Sequence, residues 1–163
     1  MHESKTSKIE MQRSSARYLG FTLGNEEYAI PLLSVKEVLA VPEITPIPYT
    51  PPHFLGIMNL RGQVISVIDM RQKLGIKPSQ SAETAIIICD LADTAIGIVV
   101  DSINAVLSPT PEEISETPEV QSTKKVDYMV GVYRKQNQLV VFLDIAKALD
   151  MADRQALNKS KAA

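Results

Sequence analysis

An internal repeat is the feature of this sequence that most constrains its fold. Segment 131–149 aligns with segment 56–74, and segment 97–107 aligns with segment 29–39. Four residue types are identical in the longer alignment: Gly56 and Gly131, Gln63 and Gln138, Asp69 and Asp144, Leu74 and Leu149. A repeated unit of this size cannot bury its apolar face alone. We therefore expect two similar subdomains that share an interface and unfold as one cooperative unit.

Short apolar segments, broken by Gly, Asn, Asp and Pro, predict β-hairpins. Four pairs of such segments flank turn residues: 18–23 with 28–31, 56–60 with 63–70, 84–91 with 94–100, and 127–134 with 138–143. Many short strands at this spacing are typical of small barrels or a sandwich. The predicted fold class is mainly β.

Helical patterns are few. Segment 32–41 can form one or two turns, and segment 70–74 can form another. The clearest helix follows Asp144, which can cap its first turn. Apolar residues recur after this aspartate at helical intervals: Ile145, Leu149, Ala152 and Ala156.

Six of the ten prolines lie between Pro31 and Pro52. This density forbids a regular helix or a central strand. Segment 41–52 is therefore predicted to be an extended, stiff connection. It either crosses between barrels or forms a surface preorganised for a partner.

The predicted organisation is one domain between two tails. Residues 1–17 form a polar tail, and residues 18–150 form the domain, with a first barrel over about 18–80 and a second over about 81–150. Residues 151–163 form an extension of the last helix and a tail.

Composition excludes several classes of protein. Seventeen Lys and Arg against nineteen Asp and Glu leave a net charge of −2, so no basic field gathers nucleic acid. Cys89 is the only cysteine and cannot form an internal disulfide, which indicates a reducing compartment. The segment 1–17 contains no apolar signal segment, and apolar runs such as 139–143 are too short to span a bilayer. We expect a soluble cytoplasmic protein that does not insert into membranes.

The sequence supplies little for catalysis. The two histidines, His2 and His53, belong to no catalytic motif, no metal-binding or phosphate-binding motif is present, and we expect His53 to be an ordinary loop residue. Asp69 and Asp144 occupy equivalent places in the two copies, so they could share acid–base work, or each could cap a turn. Capping explains both residues and explains why they match. We therefore expect a non-enzymatic protein with no cofactor or metal.

The turn at Arg61 and Gly62 differs between the copies. Its counterpart at 134–137 has the sequence RKQN, although the flanking strands agree. A feature kept in one copy alone can serve something other than folding. Arg61 can present a planar, five-donor guanidinium to a partner, or it can be a solvated or ion-paired surface side chain.

The segment that contains this turn resembles the signature of the CheW family, the adaptors that link bacterial chemoreceptors to the histidine kinase CheA. Residues 52–71, with the sequence PHFLGIMNLRGQVISVIDMR, carry the signature, and further matches lie in 28–38, 96–103 and 139–145. The resemblance covers about 18–149, nearly all of the predicted domain. It implies two tandem five-stranded, SH3-like β-barrels around a shared hydrophobic contact, and no enzymatic activity.

The resemblance also implies partners and the residues that bind them. The partners are the regulatory domain of a CheA-like histidine kinase and the cytoplasmic tip of methyl-accepting chemoreceptors. Arg61 and Glu37 match positions tied to the receptor, whereas Val35 and Gly56 match positions tied to the kinase. Four further residues, assigned to the receptor side, fall on segments that border a groove between the barrels: Ile30, Leu33, Val99 and Val100.

Ser66 departs from the family pattern, which usually has proline there. A serine could pair differently from proline or leave a strand edge less protected.

The resemblance leaves the output of the signalling pathway open, because adaptors of this kind also serve kinases that control twitching pili or other outputs. A remote alternative is a small-ligand-binding or enzymatic barrel that uses Asp69 and Asp144.

Overall fold

The computed structural model describes residues 16–79, 81–92, 94–115, 128–149, 153, 154 and 156. Most of these residues lie in strands: β1 (Tyr18–Leu23), β2 (Glu26–Pro31), β3 (Val35–Ala40), β4 (Phe54–Leu60), β5 (Gln63–Asp69), β6 (Ala85–Leu91), β7 (Thr94–Val100), β8 (Ser102–Leu107), β9 (Ile114–Ser115), β10 (Met129–Lys135) and β11 (Gln138–Leu143). Within residues 16–149, the described parts of the chain also contain four short helices: α1 (Met70–Lys73), α2 (Ile145–Ala148) and 3-10 helices at Leu32–Ser34 and Pro111–Glu113.

The strands form two sheets, which confirms a mainly β fold built of two SH3-like barrel units. The five-stranded sheet has the order β3-β6-β7-β5-β4, and the six-stranded sheet has the order β8-β1-β2-β11-β10-β9. All four predicted hairpins are present as antiparallel pairs: β1 with β2, β4 with β5, β6 with β7, and β10 with β11.

The boundary predicted near residue 80 does not separate the two sheets. The first copy of the repeat begins with the hairpin β1–β2, and the second copy begins with the hairpin β6–β7. The hairpin β1–β2 lies in the six-stranded sheet among strands of the second copy, and the hairpin β6–β7 lies in the five-stranded sheet among strands of the first copy. Only Asp101 separates β7 from β8, and the short 3-10 turn at Leu32–Ser34 separates β2 from β3. At each of these two connections the chain leaves one sheet and enters the other. The sequence repeat alone did not reveal this exchange.

Strand register preserves the repeat. The parallel pair of β2 and β11 sets Ala29 opposite Phe142, and the parallel pair of β5 and β7 sets Gly97 opposite Val67. The sequence alignment of the two copies relates Ala29 to Gly97 and Val67 to Phe142, so the two pairings are equivalent. The chain is therefore two interleaved copies of one motif, related by a pseudo-twofold arrangement of strands.

The hydrophobic core has a shared part and two separate parts. The largest cluster of buried residues joins both sheets, with Phe21 and Ile30 from one sheet against Ile87 and Ile98 from the other. A second cluster belongs to the five-stranded sheet and a third to the six-stranded sheet. This first cluster is the predicted shared interface. Neither sheet covers its inner face alone, so each sheet is buried partly by the other.

One helix prediction was confirmed, and the other two were confirmed only in part. Helix α1 matches the prediction for segment 70–74. Segment 32–41 forms one turn of 3-10 helix and then strand β3, whose residues alternate between half-buried and exposed. The last helix ends at Ala148, since Leu149 is extended, and helical backbone resumes at Asp153 and Arg154.

The connection over 41–52 is mostly irregular, as predicted. Its one bridge to a strand joins Thr45 to Ile57 through two backbone hydrogen bonds of 2.8 and 2.9 Å.

Ser66 lies in β5, which is an interior strand between β4 and β7. A serine in place of the family's usual proline therefore leaves no sheet edge unprotected. The tail over 1–15, and Ala152, fall outside the described residues. Among the described residues, no helix is long and apolar enough to cross a membrane.

Candidate protein-binding surface

The β4–β5 turn presents Arg61 at its apex. Arg61 has φ 51° and Gly62 has φ 85°, both in the left-handed region that a two-residue hairpin turn of type I′ requires. The side chain of Asn59 fixes this turn, because its Oδ1 accepts a hydrogen bond of 2.8 Å from the Gly62 amide. Asparagine and glycine at these places therefore serve the turn, while the arginine side chain is left free to point outward.

Arg61 makes a bidentate ion pair with Glu37. Its Nη1 and Nη2 atoms donate to the two carboxylate oxygens at 2.8 and 2.5 Å. The arginine side chain is 71% exposed and the glutamate side chain 29% exposed. The hydrogen bonds from Arg61 lower the pKa of Glu37, and those to Glu37 raise the pKa of Arg61. The pair keeps a charged, rigid fork at the surface.

This ion pair joins the two edges of the five-stranded sheet. Glu37 lies in β3 and Arg61 follows β4, and these strands are the first and last of that sheet. The pair therefore closes the open seam of the barrel. The sequence left a partner contact and an intramolecular ion pair as alternatives for Arg61. The structure shows the ion pair, and the exposed guanidinium remains accessible.

The residues predicted to bind the kinase lie on the same seam. Val35 begins β3 and is half-buried, with its side chain packed against the shared core. Gly56 lies in β4, is buried and has φ 140°. A side chain at Gly56 would overlap the carbonyl of Thr45, so the glycine allows the 41–52 connection to approach β4.

The four predicted groove residues divide into one exposed and three buried side chains. Leu33 is 99% exposed on the short 3-10 helix before β3. Ile30, Val99 and Val100 are 0–2% exposed. They pack in the core, because both β2 and β7 are interior strands of their sheets. These three residues can shape a groove but cannot offer a surface for direct contact.

Asp69 and Asp144 are helix caps. The Asp69 carboxylate accepts hydrogen bonds from the Arg71 and Gln72 amides, and Asp144 Oδ1 accepts one of 3.1 Å from the Lys147 amide. The two aspartates line different clefts, so they do not form a pair for acid–base chemistry.

The single cysteine is buried. Burial raises the pKa of the Cys89 thiol to about 12, which keeps it protonated at neutral pH.

A buried arginine network was missed by the sequence reasoning. Arg71 makes two hydrogen bonds of 3.0 Å to Asp69, one of 2.9 Å to Asp101 and one of 2.5 Å to the Ser79 carbonyl. The bonds to Asp69 are the main cause that raises the pKa of Arg71. The second copy has Ala146 at this place, so the asymmetry was present in the sequence as a signal.

His53 also has a role that its sequence context did not indicate. The buried Asp153 carboxylate contacts His53 Nε2 and accepts a hydrogen bond of 2.7 Å from Lys73 Nζ. Ala156 is buried in the shared core. These contacts fasten the C-terminal segment to α1 and to the end of the proline-rich connection. Among the described residues, no group of three or more His, Cys, Asp or Glu is placed to hold a metal ion.

Comparison with known proteins gives one consistent family. A family model described as "CheW-like domain" matches residues 17–153. The chain is 35% identical to the chemotaxis protein CheW of Klebsiella aerogenes over 88% of this chain and 87% of that protein. It is 31% identical to the CheW of Helicobacter pylori over 90% and 88% of the two chains.

A solved structure and a more distant relative complete the comparison. The crystal structure of the scaffolding protein TtCheW from Thermoanaerobacter tengcongensis matches with a TM-score of 0.78 and 27% identity, over 85% of this chain and 95% of that one. Protein PilI of Pseudomonas aeruginosa is 23% identical over 76% of this chain and 70% of its own length.

Proposed function

The chain belongs to the CheW-like family of scaffold and adaptor proteins, and from that premise we propose that it couples methyl-accepting chemoreceptors to a CheA-like histidine kinase in a signalling array. It acts in the cytoplasm and reaches the membrane only through its receptor partners. It performs no chemistry of its own and transmits the state of the receptor by stabilising one arrangement of the complex.

The observation that carries the proposal is the fixed, exposed Arg61–Glu37 pair on the barrel seam. A guanidinium that is already oriented by a bidentate carboxylate loses little side-chain entropy when a partner binds it. In this proposal Arg61, Glu37 and the exposed Leu33 contact the cytoplasmic tip of the receptor. Ile30, Val99 and Val100 support that contact from the core by fixing the backbone of β2 and β7.

The kinase side of the proposal uses the same seam at Val35 and Gly56. Val35 is half-buried at the start of an edge strand, and edge strands offer unpaired backbone groups to a partner. Gly56 acts indirectly, because a larger residue there would displace the Thr45 connection and deform the edge. The regulatory domain of the kinase binds at this edge.

A capture experiment tests the proposal. The protein is immobilised and exposed to lysate from its own host, with Arg61→Ala and Gln136→Ala variants as parallel baits. Gln136 occupies the equivalent turn position in the second copy and also has a left-handed backbone, φ 54°. We expect the wild type and Gln136→Ala to retain both the kinase and the receptors, and Arg61→Ala to lose the receptors alone. Failure of the wild type to retain either partner would contradict the proposal.

A second candidate function is an adaptor role in a chemosensory system that controls twitching pili or another output. The similarity to PilI is the observation that favours it. The same capture experiment separates the two functions, because sequencing of the retained kinase and its neighbouring genes identifies the output.

A further inference from the structure

A cleft of about 220 Å³ lies where helix α2 begins, beside the β2–β3 connection and the β6–β7 turn. Its wall is formed by apolar and small residues together with two carboxylates. Six of the lining residues mark the chain segments that form the cleft: Pro31, Ser34, Asp90, Ala92, Asp144 and Ala146. Asp90, Ala92 and Ala146 are exposed, so the cleft opens to the surface.

The pseudo-twofold repeat gives this cleft a counterpart elsewhere in the chain. The alignment of the two copies relates Asp144 to Asp69 and Ala146 to Arg71, and its extension towards the N-terminus relates Ala92 to Gly24. The counterpart therefore lies where α1 begins, beside the β7–β8 connection and the β1–β2 turn. The two junctions are thus built from equivalent elements, with two elements from one copy and one from the other.

The counterpart junction holds an arginine. The Arg71 guanidinium binds both oxygens of Asp69 and reaches Asp101 in the β7–β8 connection. Asp101 in turn accepts a hydrogen bond of 2.6 Å from the Gly24 amide of the β1–β2 turn. One guanidinium thus ties all three elements together, and it is 7% exposed.

The cleft lacks this guanidinium but keeps its carboxylate. Within the described part of the chain, no side chain donates a hydrogen bond to Asp144 or to Asp90. The nearby Arg154 donates instead to the Ala146 carbonyl, at 2.9 Å. The position equivalent to Asp101 is Leu33, whose side chain is 99% exposed and which directly precedes the cleft residue Ser34 in the chain.

We propose that this cleft receives an arginine side chain from a partner protein, in the place that Arg71 occupies in the other copy. The guanidinium pairs with the Asp144 carboxylate, as Arg71 pairs with Asp69, and Asp90 adds negative charge at the rim. Leu33 covers the apolar stem of the arginine or an apolar neighbour of it in the partner. The cleft does not include Arg61 or Glu37. It shares Leu33 with the proposed receptor contact, but the binding of an arginine here does not rest on the identity of the partner that supplies it.

A titration with small probes tests the site directly. Amide chemical shifts of the full chain are followed by NMR while N-acetyl-arginine methylamide is added, with the citrulline analogue as an uncharged control of the same shape. We expect saturable shifts for residues 90–92 and 144–146 with the arginine probe at millimolar concentrations, and at least a fivefold weaker response with citrulline. Equal responses to the two probes, or none, would overturn the proposal.

Two variants make the test specific. Asp144→Asn keeps a residue that caps helices well but removes the charge, and Ala146→Arg supplies the guanidinium from within the chain. We expect both variants to lose the saturable response to the arginine probe. Lys147→Arg, which adds a guanidinium at the next exposed position, is the matched control and should respond like the wild type. Retention of the wild-type response by either Asp144→Asn or a folded Ala146→Arg would contradict the assignment.

Discussion

Both the backbone and the side chain of Arg61 are held in fixed positions. Its backbone is in the left-handed region, and its side chain is held by a bidentate carboxylate on the opposite edge of the sheet. Either feature alone is explained by the turn or by closure of the seam. Together they fix the direction of an exposed guanidinium, which is what a recognition residue needs.

Exchange of the charges at Arg61 and Glu37 distinguishes closure of the seam from the proposed contact of Arg61 with the receptor. Arg61→Ala is expected to fold with nearly the same melting temperature as the wild type, since exposed ion pairs contribute little to stability. The double variant Arg61→Glu with Glu37→Arg restores an ion pair across the seam but moves the guanidinium to β3. We expect receptor binding to be lost in both variants. Recovery of receptor binding in the double variant, measured by co-sedimentation with receptor-containing membranes, would mean that the pair acts only by closing the seam.

The two equivalent aspartates differ in what they support, and their asparagine variants should differ in stability. Asp69→Asn breaks a buried bidentate pair with Arg71 and should lower the free energy of unfolding by about 3 kcal/mol. Asp144→Asn keeps an exposed cap and should change it by less than about 1 kcal/mol. Urea denaturation of both variants measures the difference. Equal losses of stability in the two variants would contradict the conclusion that Asp69, unlike Asp144, has a buried arginine partner.

At the scale of strands and helices, local signals were predictable and pairing partners were not. Four hairpins followed from turn residues that lie within a few positions of their strands. The sequence of β3 does not alternate clearly between polar and apolar residues, because Lys36 and Glu37 stand together between two valines. Helical turns were therefore predicted over 32–41, whereas only the 3-10 turn at Leu32–Ser34 precedes β3. β9 has only two residues and lies at a sheet edge. Its existence depends on β10, which is distant in sequence.

Gly56 and Gly131 are equivalent glycines that are constrained differently. An added Cβ at Gly56 would overlap backbone of Thr45, and the residue has φ 140°. An added Cβ at Gly131 would lie 3.0 Å from the Cγ2 atom of Ile114 and 3.4 Å from the Ser115 carbonyl oxygen, so it would overlap no backbone atom. We expect Gly56→Ala to cost roughly 2–5 kcal/mol of stability and Gly131→Ala to stay within about 1 kcal/mol of the wild type. Similar losses in chemical denaturation would contradict this assignment.

At the scale of the whole molecule, exchange of strands between the copies makes the two sheets interdependent. Neither half of the chain contains all the strands of one sheet, and the largest core cluster joins both sheets. We expect a single calorimetric unfolding transition, with equal calorimetric and van't Hoff enthalpies. We also expect the separate fragments 16–79 and 81–149 to remain unfolded until they are mixed. Two transitions, or a folded single fragment, would contradict the interleaved arrangement.

Symmetry also explains how much of the candidate site the sequence could reveal. Arg61 was found because the copies agree in the flanking strands and differ at the turn. Its contact with Glu37 was not, because that contact crosses between the first and last strands of a sheet. Arg71 and Ala146 differ between the copies in the same way. Only the structure shows that the Arg71 side chain fills the junction at Asp69, whereas the junction at Asp144 and Ala146 is an open cleft.

Receptor control of the kinase in a reconstituted system is the direct test of the proposed adaptor function. Membranes that contain the host's chemoreceptor are combined with its CheA-like kinase, and autophosphorylation is followed with and without receptor ligand. We predict that ligand changes the kinase activity only when this protein is present, that Arg61→Ala abolishes the change, and that Gln136→Ala preserves it. Ligand control that is the same without the protein would rule out the adaptor function, and control that is the same with Arg61→Ala would rule out the role proposed for Arg61.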